Sequence, residues 1–78
     1  MKTADEMFRE LEYKKYINDD CEMYMKDLFM ITFIKPNKRF ITEYKYGDYN
    51  FPKIRAFEIN MQELQAINKK CQEMGWLE

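Results

Sequence analysis

The pattern that most constrains the fold of this chain is a β-hairpin in its middle. Leu28 to Ile34 is apolar on both faces except at Thr32, and Arg39 to Tyr46 then alternates between two faces. The segment between them, Lys35-Pro36-Asn37-Lys38, predicts a turn, because Pro presets φ and Asn tolerates the left-handed region. A strand that is apolar on both faces is usually central and covered on both sides. We therefore predict a hairpin whose first strand lies inside a sheet.

Three further strands are predicted around this hairpin. Tyr13 to Ile17 alternates and is followed by a polar turn, Asn18-Asp19-Asp20. Cys21 to Lys26 has a clean in/out pattern, in which Cys21, Met23 and Met25 alternate with Glu22, Tyr24 and Lys26. Gly47 to Pro52 predicts a loop that is rich in aromatic residues, and Lys53 to Ile59 predicts a last, less regular strand.

A helix is predicted at each end of the chain. Thr3 and Glu6 have the spacing of a capping box, and the short helix after Thr3 has an apolar stripe of Ala4, Met7, Phe8 and Leu11. Asn60 and Glu63 repeat the capping box before a longer helix, whose predicted apolar stripe is Met61, Leu64, Ile67, Cys71 and Met74. Gly75 is the expected helix stop, and Trp76-Leu77 can fold back on the last turn.

Together these elements predict an α+β fold. We expect an antiparallel sheet of four to five strands, with the short N-terminal helix and the longer C-terminal helix packed on one face. The 78 residues allow a single domain, 1–78, and the hydrophobic share of 46% and aromatic share of 17% are typical of a folded chain. With no Val and little Ala or Gly, aromatic side chains must supply much of the core.

Charge and cysteine usage favour a protein of the cytoplasm. The 13 basic and 14 acidic residues are interspersed and give a net charge of −1, so neither a basic arm nor an acidic tail is present. Cys21 and Cys71 stand where apolar residues are expected and do not indicate a disulfide framework. The first residues are too polar for a signal peptide, and the longest apolar run is too short to span a bilayer. We therefore expect no membrane association.

The residues that are missing argue against catalysis. The chain has no His and no Ser, so neither a Ser-His-Asp triad nor a Cys-His dyad can form within it. Two Cys do not make a common zinc site, and the two Gly lie too far apart for a phosphate-binding loop. The acidic turn Asp19-Asp20 near Glu22 is better explained by solvation than by a divalent cation, because its oxygens need not converge. We expect no enzyme activity, no catalytic residues, no metal and no cofactor.

One region suggests a binding surface. Aromatic and basic residues are interleaved from Arg39 to Phe57, and our candidate patch comprises Arg39, Tyr44, Lys45, Tyr46, Tyr49, Phe51, Lys53 and Arg55. Such residues are enriched at protein interfaces, and they also form stacking platforms for nucleotides and single strands. A third interpretation remains open, in which Phe40 and Tyr44 pack under the helices and the cations face solvent. The net negative charge makes nucleic acid an unlikely partner.

A second surface depends on where two tyrosines point. If Tyr16 and Tyr24 share the sheet face away from the helices, that face is apolar enough to require a partner. A second copy of the chain would cover it and form a homodimer through the sheet face.

The two ends of the chain resemble a known group of proteins. Thr3-Ala4-Asp5-Glu6-Met7-Phe8, with Leu11 and Tyr13, resembles the start of small uncharacterised proteins of prophages and mobile elements in low-GC Gram-positive bacteria. The stretch from Ile59 to Cys71, followed by Gly75-Trp76, is similar to their C-terminal helix. Those proteins usually have Gly before the Tyr, where this chain has Glu12, so we expect the first helix to end differently. The resemblance covers about a third of the chain and brings no activity or catalytic residue with it.

Two functions follow as hypotheses. The first is a non-enzymatic accessory protein of a phage or mobile element, which acts in the bacterial host cytoplasm by binding a host or phage protein, with inhibition of a defence system as one such role. The alternative is a nucleotide or single-stranded nucleic-acid binding module that uses the aromatic and basic patch. A third route, with Cys71 as the nucleophile of an enzyme, would need Lys or Glu as its base and is the weakest.

Overall fold

Five antiparallel strands form one sheet, in the order in which they occur along the chain. The computed structural model describes residues 1–77. Its elements are α1 (Ala4–Glu10), β1 (Lys14–Ile17), β2 (Cys21–Lys26), β3 (Phe29–Ile34), β4 (Arg39–Gly47), β5 (Pro52–Arg55) and α2 (Met61–Glu73). Neither α1 nor α2, the helices of residues 1–77, has the length and hydropathy of a membrane-spanning helix. The predicted α+β fold is confirmed, whereas the last strand is shorter than the predicted Lys53 to Ile59.

The central hairpin and its turn lie at the predicted position, but the residue in the left-handed region is Lys38 and not Asn37. β3 pairs with β4 so that Ile31 lies opposite Thr42 and Phe33 lies opposite Phe40. The chain reverses between the two strands through Lys38, which has a φ of 51° and whose N–H donates to the carbonyl of Lys35 (3.2 Å). Because β3 also pairs with β2, it is the middle strand of the sheet, as its apolar sequence predicts.

Both predicted capping boxes are confirmed. The Thr3 hydroxyl accepts from the N–H of Glu6 (3.1 Å), and the Glu6 carboxylate accepts from the N–H of Thr3 (3.0 Å). Asn60 and Glu63 make the same reciprocal pair before α2, with distances of 2.7 and 2.9 Å. Each box satisfies backbone donors that a helix start leaves free, which fixes where the helix begins.

The core lies between the helices and one face of the sheet. Its buried apolar residues are Ala4, Phe8, Tyr13, Tyr24, Ile31, Phe33, Ala66, Ile67 and Cys71. Gly75 takes a φ of 73°, and the N–H of Trp76 then donates to the carbonyl of Cys71 (2.9 Å), which folds Trp76 back onto the core as predicted. Both helices therefore cover the same face, above β1 to β3.

The buried face of α2 differs from the predicted stripe at its start. Met61 and Leu64 are exposed, and the buried positions include Glu63 and Lys70 instead. Glu63 is held there by the Tyr13 hydroxyl, which donates to its carboxylate, and Lys70 by its ion pair with a sheet residue. Hydropathy alone favours Met and Leu, so the periodicity does not reveal that two charged side chains have partners inside.

The partner of Lys70 belongs to a charged network around Tyr24. The Lys70 ammonium donates to the Glu22 carboxylate, and Lys15 lies 3.3 Å from the same carboxylate. Asp5 of α1 accepts from Lys15 (2.9 Å) and from the Tyr24 hydroxyl (2.6 Å). Among residues 1–77, every buried side-chain N or O atom has a hydrogen-bond partner. The network therefore joins both helices to β1 and β2 without leaving a buried polar group unsatisfied.

The end of α1 contains a strained residue that a substitution can relieve. Glu12 has a φ of 70°, and its N–H donates to the carbonyl of Arg9 (2.9 Å). A left-handed conformation costs a residue with a Cβ about 1–2 kcal/mol, and glycine is the usual residue at this position.

We predict that Glu12→Gly stabilises the protein by about 0.5–1 kcal/mol, after the added flexibility of the unfolded chain is subtracted. Urea unfolding would measure the change. Glu12→Ala is the matched control, because it removes the charge and keeps the Cβ, and it should give no such gain. Equal stabilisation by both variants would contradict the backbone explanation.

The charged network predicts how stability depends on pH. Burial raises the pKa of Glu22, but the hydrogen bond and charge of Lys70, together with Lys15, outweigh it and hold the pKa below its ordinary value of 4.5. For Asp5 burial acts in the same direction, and Tyr24 and Lys15 likewise bring its pKa below the ordinary value of 3.8. Since the unfolded chain binds protons at a higher pH than the folded one, this stability is present above about pH 4.5 and is lost below it.

We expect Glu22→Gln to destabilise the protein by about 2–3 kcal/mol at pH 7, because Lys70 stays buried without its partner and Glu22 itself keeps some solvent access. The free energy of unfolding of the variant should also fall less between pH 5 and pH 3 than that of the wild type, as measured by urea unfolding at each pH. Glu58→Gln, at an exposed position, is the control and should follow the wild-type curve. If the free energy of unfolding of Glu22→Gln fell with pH as steeply as that of the wild type, this account would be contradicted.

Candidate functional site

Four of the eight residues of the candidate patch lie together on β4 and β5. The register places Tyr44 opposite Arg55 and Tyr46 opposite Lys53. Directly opposed residues of an antiparallel pair point to the same face, so these four side chains form one group. It lies on the helix side of the sheet, beyond the part that α1 and α2 cover, since Tyr44 and Tyr46 are not buried.

The rings in this group are ordered by stacking. The Tyr44 and Tyr46 ring planes are 6° apart, with centroids 5.9 Å apart, and Tyr44 also stacks on Phe29 at 4.8 Å. The Arg55 guanidinium carbon lies 5.6 Å from the Tyr44 ring centroid and 5.9 Å from that of Tyr46. Cation–π contacts at exposed sites contribute about 0.5–1 kcal/mol each, enough to bias these side chains toward one arrangement. The group is therefore a preformed aromatic and cationic surface.

The loop between β4 and β5 extends this surface with two exposed rings. Tyr49 is 98% exposed and Phe51 is 72% exposed. The loop is closed by the Phe51 N–H, which donates to the Asp48 carboxylate (2.7 Å). At Gly47, φ is 90° and a Cβ would lie 2.4 Å from the Phe51 carbonyl oxygen, so only glycine fits there. Two large apolar side chains are thus held in solvent by a loop whose base is sterically fixed.

The other two residues of the candidate patch lie elsewhere. Arg39 is opposite Ile34 at the far end of β4, and Lys45 is opposite Ile54. Both alternate with Tyr44 and Tyr46 along the strand, so they project from the opposite face. We call the remaining six residues the β4–β5 surface, which consists of Tyr44, Tyr46, Tyr49, Phe51, Lys53 and Arg55.

The face of the sheet away from the helices is a second uncovered surface. Its middle consists of Met23, Met25, Met30, Thr32, Ile34 and Ile41, with Tyr16, Cys21 and Ile54 around them, and we call it the open sheet face. The prediction that β3 is covered on both sides is wrong within residues 1–77, because both helices lie on the other face. The apolar set of β2, Cys21, Met23 and Met25, is the set that faces away from the helices.

The two tyrosines on which the homodimer hypothesis is conditional lie on opposite faces. Lys15 is opposite Tyr24, whereas Tyr16 is opposite Met23. Tyr24 is only 1% exposed, stacked against Phe8 under the helices, and Tyr16 is half-exposed on the open sheet face. The open sheet face is nevertheless apolar, because the three methionines of β2 and β3 lie on it.

The titratable side chains inside the fold are held in their neutral or paired states. Burial, followed by a hydrogen bond to Glu63, raises the pKa of Tyr13, and burial with a hydrogen bond to Asp5 does the same for Tyr24. Burial also raises the pKa of Cys71, which keeps its thiol protonated and unreactive at neutral pH. Within residues 1–77, no group of three or more His, Cys, Asp or Glu side chains is placed to hold a metal ion.

Comparisons with known proteins leave the function to be argued from this chain itself. No family model, curated protein or solved structure matches it. The physical basis for a functional proposal is thus the pair of surfaces described above, the β4–β5 surface and the open sheet face.

Proposed function

We propose that this protein is a non-enzymatic accessory protein of a phage or mobile element and that it acts by binding another protein. The resemblance of its two ends to prophage proteins supports the genetic setting. The proposed partner is a host or phage protein in the cytoplasm of the bacterial host, and a defence enzyme is a target whose activity such binding would block.

The observation that carries this proposal is the exposure of large aromatic side chains beside an arginine. Tyr49 and Phe51 project from the loop, Tyr46 lies on the strand that leads into it, and the Arg55 guanidinium lies over the Tyr46 ring. Tyr and Arg dominate the binding energy of protein interfaces, where they bury much area and keep a polar end. Because the loop and the stack are preformed, little conformational entropy would be lost on binding.

The internal chemistry supports binding over catalysis. Cys71, the one nucleophile considered from the sequence, is buried in the core and has no imidazole to activate it. The acids that border the core are already occupied, Asp5 and Glu22 by ion pairs with lysines and Glu63 by the Tyr13 hydroxyl. A reaction would need groups that are free to exchange protons, and these groups are held by partners within the fold.

We predict that truncating the two loop rings weakens capture of the partner. Tagged protein would be incubated with lysate of host cells and of phage-infected cells, and retained proteins identified by mass spectrometry. The double variant Tyr49→Ala/Phe51→Ala should weaken binding of the retained partner at least tenfold, since two interface anchors are lost.

The matched control is Met61→Ala/Leu64→Ala, which removes two exposed apolar side chains from the start of α2. It should retain the partner at the wild-type level. No specific partner from either lysate, or equal loss in both double variants, would contradict the proposal.

A second candidate function is supported by the parallel rings of Tyr44 and Tyr46. Bases stack on such rings, and Arg55 supplies a cation for a phosphate or a further stacking plane. Only Lys53 and Arg55 add positive charge to this surface, and the net charge is −1, so the electrostatic attraction for a nucleic-acid backbone is small. This candidate therefore ranks below protein binding.

One titration separates the two functions. If the protein binds nucleotides or single strands, short oligonucleotides or signalling nucleotides at low salt should quench its tyrosine fluorescence with a Kd below about 100 μM, and Tyr46→Ala should weaken the binding about tenfold. The protein-binding proposal expects no saturable quenching in that range. Saturable binding that Tyr46→Ala removes would reverse the ranking.

A further inference from the structure

The open sheet face has a charge pattern that complements itself. The strand registers arrange it in three rows, which are Lys14, Met25, Met30 and Glu43; Tyr16, Met23, Thr32 and Ile41; and Cys21, Ile34 and Arg39. Lys14 on β1 and Glu43 on β4 thus end the same row, with two methionines between them. Among residues 1–77 neither of them forms an ion pair, and at three strand spacings, about 14 Å, they cannot reach one another.

We propose that a second copy of this chain covers the open sheet face, related by a two-fold axis parallel to the strands and midway between β2 and β3. This axis exchanges β1 with β4 and β2 with β3. It therefore places Lys14 of each protomer opposite Glu43 of its partner, so the dimer contains two such pairs. The interface is isologous, as closed dimers require.

The same axis matches the apolar residues. Met25 lies opposite the partner's Met30, Tyr16 opposite the partner's Ile41, and Cys21 opposite the partner's Ile34. Sheets that pack face to face lie about 10 Å apart and keep their strands within about 30° of each other, so rows that are equivalent across the axis remain in contact. Methionine suits this packing because its unbranched side chain fills irregular gaps. The charged pairs then lie at the edges of an apolar centre.

An axis perpendicular to the strands pairs the charges differently. Placed between the rows of Ile41 and Glu43, it puts Arg39 of one copy opposite Lys45 of its partner, and like charges that face each other destabilise an interface. Placed through the row of Ile41, it puts Arg39 opposite the partner's Glu43 and leaves Lys14 without an acidic partner. The two axes therefore differ in whether Lys14 takes part in the interface, and substitution of Lys14 distinguishes them.

The available area fits a dimer of moderate affinity. Four strands spaced about 4.8 Å apart and about 20 Å long offer roughly 400 Å² of projected face per protomer. Both faces together, with interdigitated side chains, approach the roughly 1,000 Å² at which specific interfaces begin. We expect dissociation in the micromolar range rather than an obligate dimer.

This dimer is independent of the proposed function. The strand residues of the β4–β5 surface lie on the helix side of the sheet, and its loop follows Gly47, beyond the rows that the dimer covers, so the dimer leaves both copies of it exposed. Substitutions on the open sheet face can thus change the oligomeric state without touching the residues of the β4–β5 surface, and failure of one proposal would not imply failure of the other.

Sedimentation velocity over about 1–500 μM protein tests the proposal, with circular dichroism to verify that each variant is folded. The wild type should pass from monomer to dimer within this range. Glu43→Lys and Lys14→Glu should each weaken dimerisation at least tenfold, because like charges then face each other twice. The double variant Lys14→Glu/Glu43→Lys should restore the dissociation constant to within about threefold of the wild type.

The rescue is diagnostic because the two residues cannot reach each other within one protomer. Lys53→Glu, on the helix side, is the control and should dimerise like the wild type. A wild-type protein that stays monomeric at about 500 μM would overturn the proposal. Single variants without effect, or a double variant that remains as weak as the singles, would overturn the two-fold arrangement.

Discussion

The rest of this structure depends on the contacts of one side chain, Tyr24. Its ring stacks on Phe8 with centroids 4.0 Å apart and meets Phe33 edge-on at 5.9 Å. Its hydroxyl donates to Asp5 at the start of α1, and the ammonium groups of Lys15 and Lys70 lie within 6 Å of its ring. One residue of β2 thus contacts α1, α2 and two strands. The position of both helices over the sheet follows from these contacts, because α1, with seven residues, is too short to be stable alone.

The charged groups around Tyr24 explain why this fold tolerates lysine and glutamate in its interior. Lys70 occupies a position on the inner side of α2 where an apolar residue would be expected. Its charge is balanced by Glu22, which Lys15 and Lys35 also approach. A buried charge without such partners would destabilise the fold by several kcal/mol, and with them the net effect is small. We infer that the network adds specificity, because the observed placement of the helices satisfies all of its buried polar groups. A small core of about nine residues gains a defined geometry in this way.

Much of this fold could be predicted from the sequence because its signals are local. The capping boxes at Thr3 and Asn60, the turn at Lys35 to Lys38 and the glycine stop at Gly75 each depend on neighbouring residues only. Which set of β2 side chains points toward the helices could not be predicted in this way. Its alternation is clear, but the buried side is set by partners on distant elements, namely Phe8, Asp5 and Lys70, which hydropathy does not reveal.

The candidate surfaces show the same division between local and distant signals. Strand alternation already separates Arg39 and Lys45 from Tyr44 and Tyr46, so the split of the candidate patch was present in the sequence. The exposure of Tyr49 and Phe51 depends on whether a helix covers the β4–β5 loop, and this in turn depends on where the Tyr24 contacts anchor α1 and α2. Which face of the sheet the helices leave uncovered depends on the same Tyr24 contacts.

The uncovered apolar face follows from the dimensions of the chain. α1 and α2 are about 10 and 20 Å long, and two helices side by side cover about 20 Å of a sheet that is about 24 Å wide. Both are therefore used on one face, and residues 1–77 contain no third helix for the other. β3 nevertheless carries apolar side chains on both faces, and Met23, Met25 and Met30 remain only partly buried. Since each further square ångström of apolar surface removed from water contributes about 25 cal/mol, a chain with this layout gains stability by closing the face against another molecule.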